Sequence, residues 1–133
     1  MSEPIAAYSV DDFRRNSVGE LAAQQVELPC GAGSFSLIGH EKTVCIVALT
    51  AAELAEQYLN TKLFGRVERL RQFPIRAIVL DVDEGVQHQA TRATEIAASA
   101  AVPVLCRFGS EAVAVTVGRL LKLAASRIER GMA

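Results

Sequence analysis

The sequence predicts an α/β fold, a three-layer sandwich with a mostly parallel central sheet and an N-terminal antiparallel hairpin. Short runs of β-branched and other apolar residues alternate with longer stretches in which apolar residues have helical spacing. Strands that are separated by helices pair in parallel, and the connecting helices cover both faces of the sheet. The 133 residues suffice for one sizeable core, so we expect a single domain over residues 1–133.

Before the hairpin, the chain contains a strand, a short helix and an extended segment. The strand is predicted at "AAYSV", residues 6–10, and the helix at "SVGELAAQ", residues 17–24. Ser17 and Glu20 have the spacing of a capping box, in which each side chain bonds the backbone N–H of the other residue. The segment "QVELP", residues 25–29, is predicted to be extended.

The hairpin leads into the central strand. "SFSLI", residues 34–38, alternates between polar and apolar residues and predicts a half-buried strand. After a turn, the β-branched and apolar run "TVCIVAL", residues 43–49, predicts a strand that is buried on both faces. Thr50 and Glu53 form a second capping box, so a helix is predicted to begin at Ala51.

The C-terminal half continues the alternation of helices and strands. Its predicted elements are a helix over 62–72, a strand over 75–82, a helix within 85–101, a strand over 102–108 and a helix capped by Ser110 that runs to about Arg130. Pro74 ends the first of these helices, because proline lacks the N–H that a helix requires.

Composition excludes several classes of protein. No apolar run approaches the roughly 18 residues of a membrane span, and the acidic N-terminus lacks the layout of a signal peptide. Cys30, Cys45 and Cys106 are too widely spaced for a local zinc site and have apolar neighbours, so we expect buried thiols and a soluble intracellular protein. The net charge of −1 argues against binding nucleic acid by bulk electrostatics.

The helix over 62–72 separates its apolar and basic residues onto different faces. Residues three and four apart lie on one side of a helix. The apolar face holds Leu63, Val67 and Leu70, and the basic face holds Lys62, Arg66 and Arg69. The apolar face is expected to contact the core. Two interpretations of the basic face stay open: a solvated surface, or a surface that meets a phosphate backbone or an acidic partner.

The last helix has an unusually wide apolar face. An inward stripe of aliphatic residues is broadened by Val115 and Leu123. A face this wide exceeds what one side of a sheet requires. It predicts either a subunit interface that includes Val115 and Leu123 or a helix that lies deep in its own core.

An acidic cluster follows the strand over 75–82. In "LDVDEG", Asp81 and Asp83 lie on the same side of a strand end. With Asp11 or Asp12 they would give the oxygen ligands that Mg²⁺ prefers, as in a metal-dependent enzyme. The simpler interpretation is a solvated strand end whose carboxylates face water. No histidine pair, nucleophile motif or phosphate-binding loop supplies another catalytic candidate.

The order of the elements and three local strings resemble a known nuclease family. The strings are "GSF" at 33–35, "VAL" at 47–49 and "YLNTKLFGRVERLRQFP" at 58–74. Over about residues 8–126, the chain resembles the nuclease domain of the XPF family of structure-specific DNA endonucleases, and more closely the non-catalytic small subunit that pairs with XPF in nucleotide excision repair. The resemblance implies that the predicted α/β sandwich is nuclease-like.

The residues that the family uses for catalysis are replaced in this chain. Active members carry a Gly-Asp pair on one hairpin strand, Glu-Arg-Lys on the next strand, and an Asp four residues after that Lys. At the matching positions this chain has Ser34, then Val47, Ala48 and Leu49, then Glu53, which the capping box also explains. The resemblance therefore implies a pseudonuclease, which is not an enzyme and uses no metal or other cofactor.

The resemblance also implies binding partners. Tyr58 and Lys62 align with residues that, in the small subunit, line a groove for single-stranded DNA or a partner peptide. Together with Arg66 and Arg69, they are the residues expected to bind single-stranded or branched DNA, or peptide, weakly. The implied role is a scaffold that forms a heterodimer with a larger XPF-like subunit in DNA repair or recombination, in the nucleus.

The sequence lacks the helix-hairpin-helix tandem that usually follows this nuclease domain and carries dimerisation. The chain is therefore expected to be either a trimmed domain or a minimal member that pairs through the nuclease-like domain itself, with Val115 and Leu123 in the interface, or as a homodimer where no larger partner is present. Two alternatives stay open: a metal-dependent enzyme that uses Asp81 and Asp83, and an α/β protein-interaction module of unrelated ancestry with no role in nucleic-acid binding.

Overall fold

The structure, a computed structural model, describes residues 4–9, 21–29, 33–82 and 87–131. Its strands are β1 (Ala6–Ser9), β2 (Ala23–Val26), β3 (Ser34–Leu37), β4 (Val44–Thr50), β5 (Ile75–Asp81) and β6 (Val104–Arg107). Its helices are α1 (Ala51–Leu59), α2 (Lys62–Leu70), α3 (Gln87–Ser99) and α4 (Ser110–Glu129).

The six strands form one sheet in the order β2-β1-β3-β4-β5-β6. β3 is antiparallel to both of its neighbours, β1 and β4. The other pairs are parallel. The hairpin therefore consists of β3 and β4, and the later strands pair in parallel because helices connect them. The mostly parallel sheet and the N-terminal antiparallel hairpin are confirmed.

Helices cover both faces of the sheet, which confirms the three-layer α/β architecture. α4 packs on one face, where it meets apolar side chains of β1, β3, β4 and β5. On the other face α1, α2 and α3 pack against the opposite side chains of β4 and β5. In the part of the chain that the structure describes, no helix is long and apolar enough to cross a membrane.

β4 is the centre of the core. The side chains from Val44 to Leu49 are all at most 2% exposed. Because side chains alternate along a strand, Val44, Ile46 and Ala48 face α4, whereas Cys45, Val47 and Leu49 face α1, α2 and α3. A β-branched run that is buried on both faces is what the sequence predicts for this strand.

The capping box at the start of α1 is present. The N–H of Glu53 donates to Oγ1 of Thr50 at 3.1 Å, and the N–H of Thr50 donates to Oε1 of Glu53 at 2.9 Å. Two of the N–H groups that a helix start leaves without intrahelical partners are satisfied in this way. The helix begins at Ala51, as predicted.

The N-terminal segment differs from the prediction. Ala23 and Gln24, the end of the predicted helix over 17–24, belong to β2, while Ser17 and Glu20 lie outside the described residues. The extended segment predicted at 25–29 thus begins two residues earlier, at Ala23. Its sequence, "AQQV", carries helix formers, but parallel pairing with β1 at the edge of the sheet overrides that local preference.

The start of α4 also differs from the prediction. Ser110 is the first helical residue rather than the cap, which is Gly109 with φ 93°. Asp81 fixes this turn, because its Oδ1 accepts a hydrogen bond from the N–H of Gly109 at 2.9 Å. Glycine suits the position because side chains with a Cβ disfavour positive φ.

The expectation of buried cysteines holds for one thiol and fails for another. Cys45 is buried in β4, but Cys106 is exposed because β6 is the edge strand of the sheet. Cys30 lies outside the described residues.

Candidate nucleic-acid interface

A groove of about 520 Å³ lies between α1 and α2. The chain reverses between these helices at Asn60 and Thr61, and Thr61 adopts a left-handed conformation with φ 66°. Asn60 stabilises the turn, because its Oδ1 accepts a hydrogen bond from the N–H of Lys62 at 3.0 Å. The reversal brings the C-terminal part of α1 beside α2, and polar side chains of both helices line the groove.

Basic side chains of α2 form one side of this groove. Lys62 and Arg69 are exposed, but Arg66 is only 9% exposed. The interpretation of all three as one fully solvated face is therefore wrong for Arg66, which the neighbouring α1 helps to enclose. Sequence spacing places Arg66 on the basic side of α2 but does not show that another helix lies there. Charges in such partly desolvated surroundings interact more strongly than charges in open water.

Side chains of α1 form the other side. Glu53 is engaged in the capping box, and Glu56 is exposed. Oε1 of Gln57 is buried and has no hydrogen-bond partner among the described residues. A buried acceptor left without a donor costs about 1–3 kcal/mol, and this oxygen is not accessible to a molecule that enters the groove. Three cationic side chains and two carboxylates line the groove, which leaves a small positive excess.

Tyr58 is not part of the groove lining. It is half-buried and packs against the core cluster of α1, α2 and α3. The sequence already contained a signal for this position, since Tyr58 lies four residues after the buried Leu54 and therefore on the same side of α1. The structure thus brings Lys62, Arg66 and Arg69 together without Tyr58.

The resemblance places the nuclease motif at five positions, and four of them lie in the core. Ser34, Val47, Ala48 and Leu49 are at most 2% exposed. Ser34 pairs with Val47 across β3 and β4, and the N–H of Ala48 donates to the carbonyl of residue 33 at 2.8 Å. Glu53 is the one member of the five that lines the groove.

These motif positions do not fit the divalent metal of a nuclease. Such a cation requires oxygen ligands, and the side chains of Val47, Ala48 and Leu49 have none. The hydroxyl of Ser34 is buried in the core. Among the described residues, no group of three His, Cys, Asp or Glu side chains is arranged to hold a metal ion.

Asp81, a member of the acidic cluster predicted after β5, makes a structural contact. Asp81 ends β5, and its carboxylate bonds the N–H of Gly109 before α4. It thereby ties the end of β5 to the last helix. Asp83, Asp11 and Asp12, its proposed companions in a metal site, lie outside the described residues.

The apolar face of α4 is partly open. Val113, Val117 and Leu121 are buried against the sheet, whereas Val115 is 44% exposed and Leu123 is 60% exposed. The sequence allows either a subunit interface or a helix deep in its own core, and the exposure of Val115 and Leu123 excludes the second interpretation for these two residues. Both side chains are accessible to another molecule.

Comparison with known proteins identifies structural relatives. XPF from Aeropyrum pernix in complex with DNA has a TM-score of 0.72 and 12% identity over 93% of this chain and 66% of that chain. A second structure of XPF from Aeropyrum pernix has a TM-score of 0.75 and 16% identity over 96% of this chain and 68% of that chain.

This likeness is structural and covers part of those proteins. No protein-family model and no curated protein sequence matches the chain. The chain spans about two thirds of the length of the XPF structures. At identities of 12% and 16% the likeness shows the fold alone, and that fold is an XPF-like nuclease fold.

Proposed function

We propose that this chain is a non-catalytic, nuclease-like scaffold subunit that binds single-stranded or branched DNA weakly through the groove between α1 and α2. In this proposal it pairs with a larger XPF-like protein in DNA repair or recombination. The supporting observation is that the motif positions of β3 and β4 hold buried side chains without a carboxylate, while three cationic side chains line the groove that includes Glu53.

The replaced positions would remove the chemistry of phosphodiester cleavage. That reaction needs carboxylates to hold a divalent cation and a cationic group to stabilise developing charge. Loss of a single key electrostatic group costs about 3–4 kcal/mol of transition-state stabilisation. Val47, Ala48 and Leu49 supply none of these groups, so incubation with Mg²⁺ and a splayed DNA duplex is expected to give no cleavage above a buffer control.

The groove can bind an extended nucleic-acid strand by a different set of interactions. Lys62 and Arg69 are exposed at its edge, where they can contact phosphates, and Arg66 adds charge from inside. With about two phosphate contacts to a single strand, the slope of log affinity against log salt is expected to be about −1.4.

A charge-reversal experiment tests this binding. The variant Lys62→Glu/Arg69→Glu is compared with Lys42→Glu/Lys122→Glu, in which two exposed lysines outside the groove lining change the net charge equally. Affinity for labelled oligothymidine, measured by fluorescence anisotropy, is expected to fall about tenfold or more in the groove variant only. An equal loss in both variants would indicate bulk electrostatics, and no binding by the wild type would contradict a role in DNA binding.

The proposed partner contact lies on α4, where Val115 and Leu123 are exposed. The test is affinity purification of the tagged chain from its own cells after nuclease treatment, with Val115→Ser/Leu123→Ser as the matched variant. A stoichiometric XPF-like protein that the wild type retains and the variant loses is the expected result. A lone monomer would contradict the scaffold role, whereas a homodimer would support pairing without a larger partner. The nuclear location stays a prediction.

A further inference from the structure

A second groove lies on the opposite side of the sheet. It has a volume of about 520 Å³ and runs between the C-terminal half of α4 and the adjoining ends of β5 and β6. Apolar side chains form most of its walls, among them Pro103, Leu105, Leu120 and Leu123. Because Leu123 is 60% exposed, this groove presents a large aliphatic side chain to solvent.

Three arginines line the same groove, and no lining residue is acidic. Arg76 is fixed in place, because its Nη1 donates to the carbonyl of Phe73 at 2.8 Å and its Nε to that of Ala101 at 3.1 Å. Arg127 and Arg130 are exposed near the end of α4. Within the described ranges, none of the three forms an ion pair with a carboxylate.

We propose that this groove is the docking site for an acidic, hydrophobic segment of a partner protein. Aliphatic or aromatic side chains of the segment pack against Leu120 and Leu123, and its carboxylates pair with Arg127 and Arg130. An apolar centre with charges at the rim is the usual anatomy of such an interface. The inference rests on the scaffold role proposed above and specifies the chemistry of the partner surface that meets α4.

The charges and walls of the groove argue against other occupants. A second copy docked symmetrically would bring the arginines of two identical grooves together, with like charges facing each other. Nucleic acid favours polar surfaces, whereas these walls are mainly apolar. Addition of a partner strand to β6 is disfavoured because the outward carbonyl of Cys106 already accepts a bond from Arg107 Nη1 at 2.7 Å.

A library of random displayed peptides, selected on the immobilised full chain, is the probe. Recovered peptides are expected to combine acidic with aliphatic or aromatic residues. Their affinity, measured by fluorescence anisotropy, is expected to fall about tenfold or more in Arg127→Glu, as for loss of a close charge pair at an interface. Leu123→Ser is expected to weaken binding as well. Lys122→Glu, which reverses another exposed charge of α4 that does not line the groove, is expected to bind like the wild type.

Several outcomes would overturn the docking site. Two concern the peptides: recovered peptides without acidic enrichment, and equal binding of the peptides by the wild type and Arg127→Glu. Two would indicate another occupant: self-association of the chain that Leu123→Ser abolishes, and oligothymidine binding that Arg127→Glu abolishes. Circular dichroism spectra of the variants check that each is folded.

Failure of the docking site and failure of the proposed function are distinguishable. Lys62→Glu/Arg69→Glu is expected to lose DNA and keep the acidic peptides, because the two grooves lie on opposite faces of the sheet. An XPF-like partner that copurifies undiminished with Arg127→Glu would contradict the docking site and leave the scaffold role intact. Binding of acidic peptides by a chain that has no XPF-like partner would support the docking site and contradict the scaffold role.

Discussion

The resemblance places Glu-Arg-Lys at Val47, Ala48 and Leu49. The variant Val47→Glu would introduce a carboxylate at the first of these positions. Val47 is fully buried in β4, where it pairs with Ser34 of β3 and Ile78 of β5. The surrounding cluster is apolar. Removal of the valine forfeits about 1.5–3 kcal/mol of burial, and a buried carboxylate without a cation costs several kcal/mol more. We expect a loss of at least about 4 kcal/mol, against a typical total stability of 5–15 kcal/mol.

The loss should depend on pH with a definite sign. Burial raises the pKa of the introduced carboxyl above its ordinary value of about 4.3. Between that value and the raised pKa, the folded state binds more protons than the unfolded state, so the stability of the variant falls as the pH rises. The difference from the wild type should therefore be smallest in acid.

Urea unfolding followed by circular dichroism at several pH values measures both effects. Val47→Ala is the matched control, because it loses volume without adding a charge, and its deficit of about 2 kcal/mol should stay constant with pH. A Val47→Glu variant with nearly wild-type stability at every pH would refute the reasoning. It would show that the position opens to solvent and that packing does not prevent a catalytic carboxylate there.

Three further predictions concern local features of the fold, and urea unfolding of four variants tests them. Thr50→Ala should cost about 1 kcal/mol through loss of the helix cap, whereas Thr61→Ala, which removes no cap bond, should cost less; equal costs would contradict the capping role. Gly65→Ala should stabilise the chain by up to about 1 kcal/mol, since the added methyl would meet only Nη1 of Arg69, at an ordinary contact distance of 3.8 Å, and a loss would show that the groove is tighter than its geometry indicates. Asp81→Ala should cost about 0.5–1.5 kcal/mol, since the lost hydrogen bond to Gly109 is exposed, and stabilisation of the wild type but not of the variant by Mg²⁺ would show instead that Asp81 binds a metal.

The elements that the sequence predicts well are those with strong local signals. β4 and β5 are apolar runs between clear boundaries, and the Thr50–Glu53 pair marks the start of α1 within one residue. β2 carries no such signal, because "AQQV" is mostly exposed and its conformation is decided by pairing with β1. Residue type predicts Ser110 as the cap of α4, but the contact that fixes this turn joins positions 81 and 109, which no local pattern links.

The candidate site is also predictable from the sequence only in part. Helical spacing alone places Lys62, Arg66 and Arg69 on one side of α2, and the structure keeps them together. Their joint groove with Gln57 depends on the left-handed conformation of Thr61, which is a threonine where glycine or asparagine is usual. The enclosure of Arg66 likewise depends on where α1 lies. Such information is tertiary, so the sequence predicts the charges of the site but not its shape.

The residues that form the core differ from the exposed cationic residues that line the groove between α1 and α2. A Glu-Arg-Lys triplet at Val47, Ala48 and Leu49 would place charged side chains on both faces of β4, since Ala48 faces α4 and its neighbours face α1 to α3. Such a triplet would therefore disturb two core clusters at once. Lys62 and Arg69 are exposed and belong to neither cluster, so they can be kept or exchanged with little effect on stability. A substitution at Val47, Ala48 or Leu49 therefore changes the core, whereas a substitution at Lys62 or Arg69 changes only the surface of a groove.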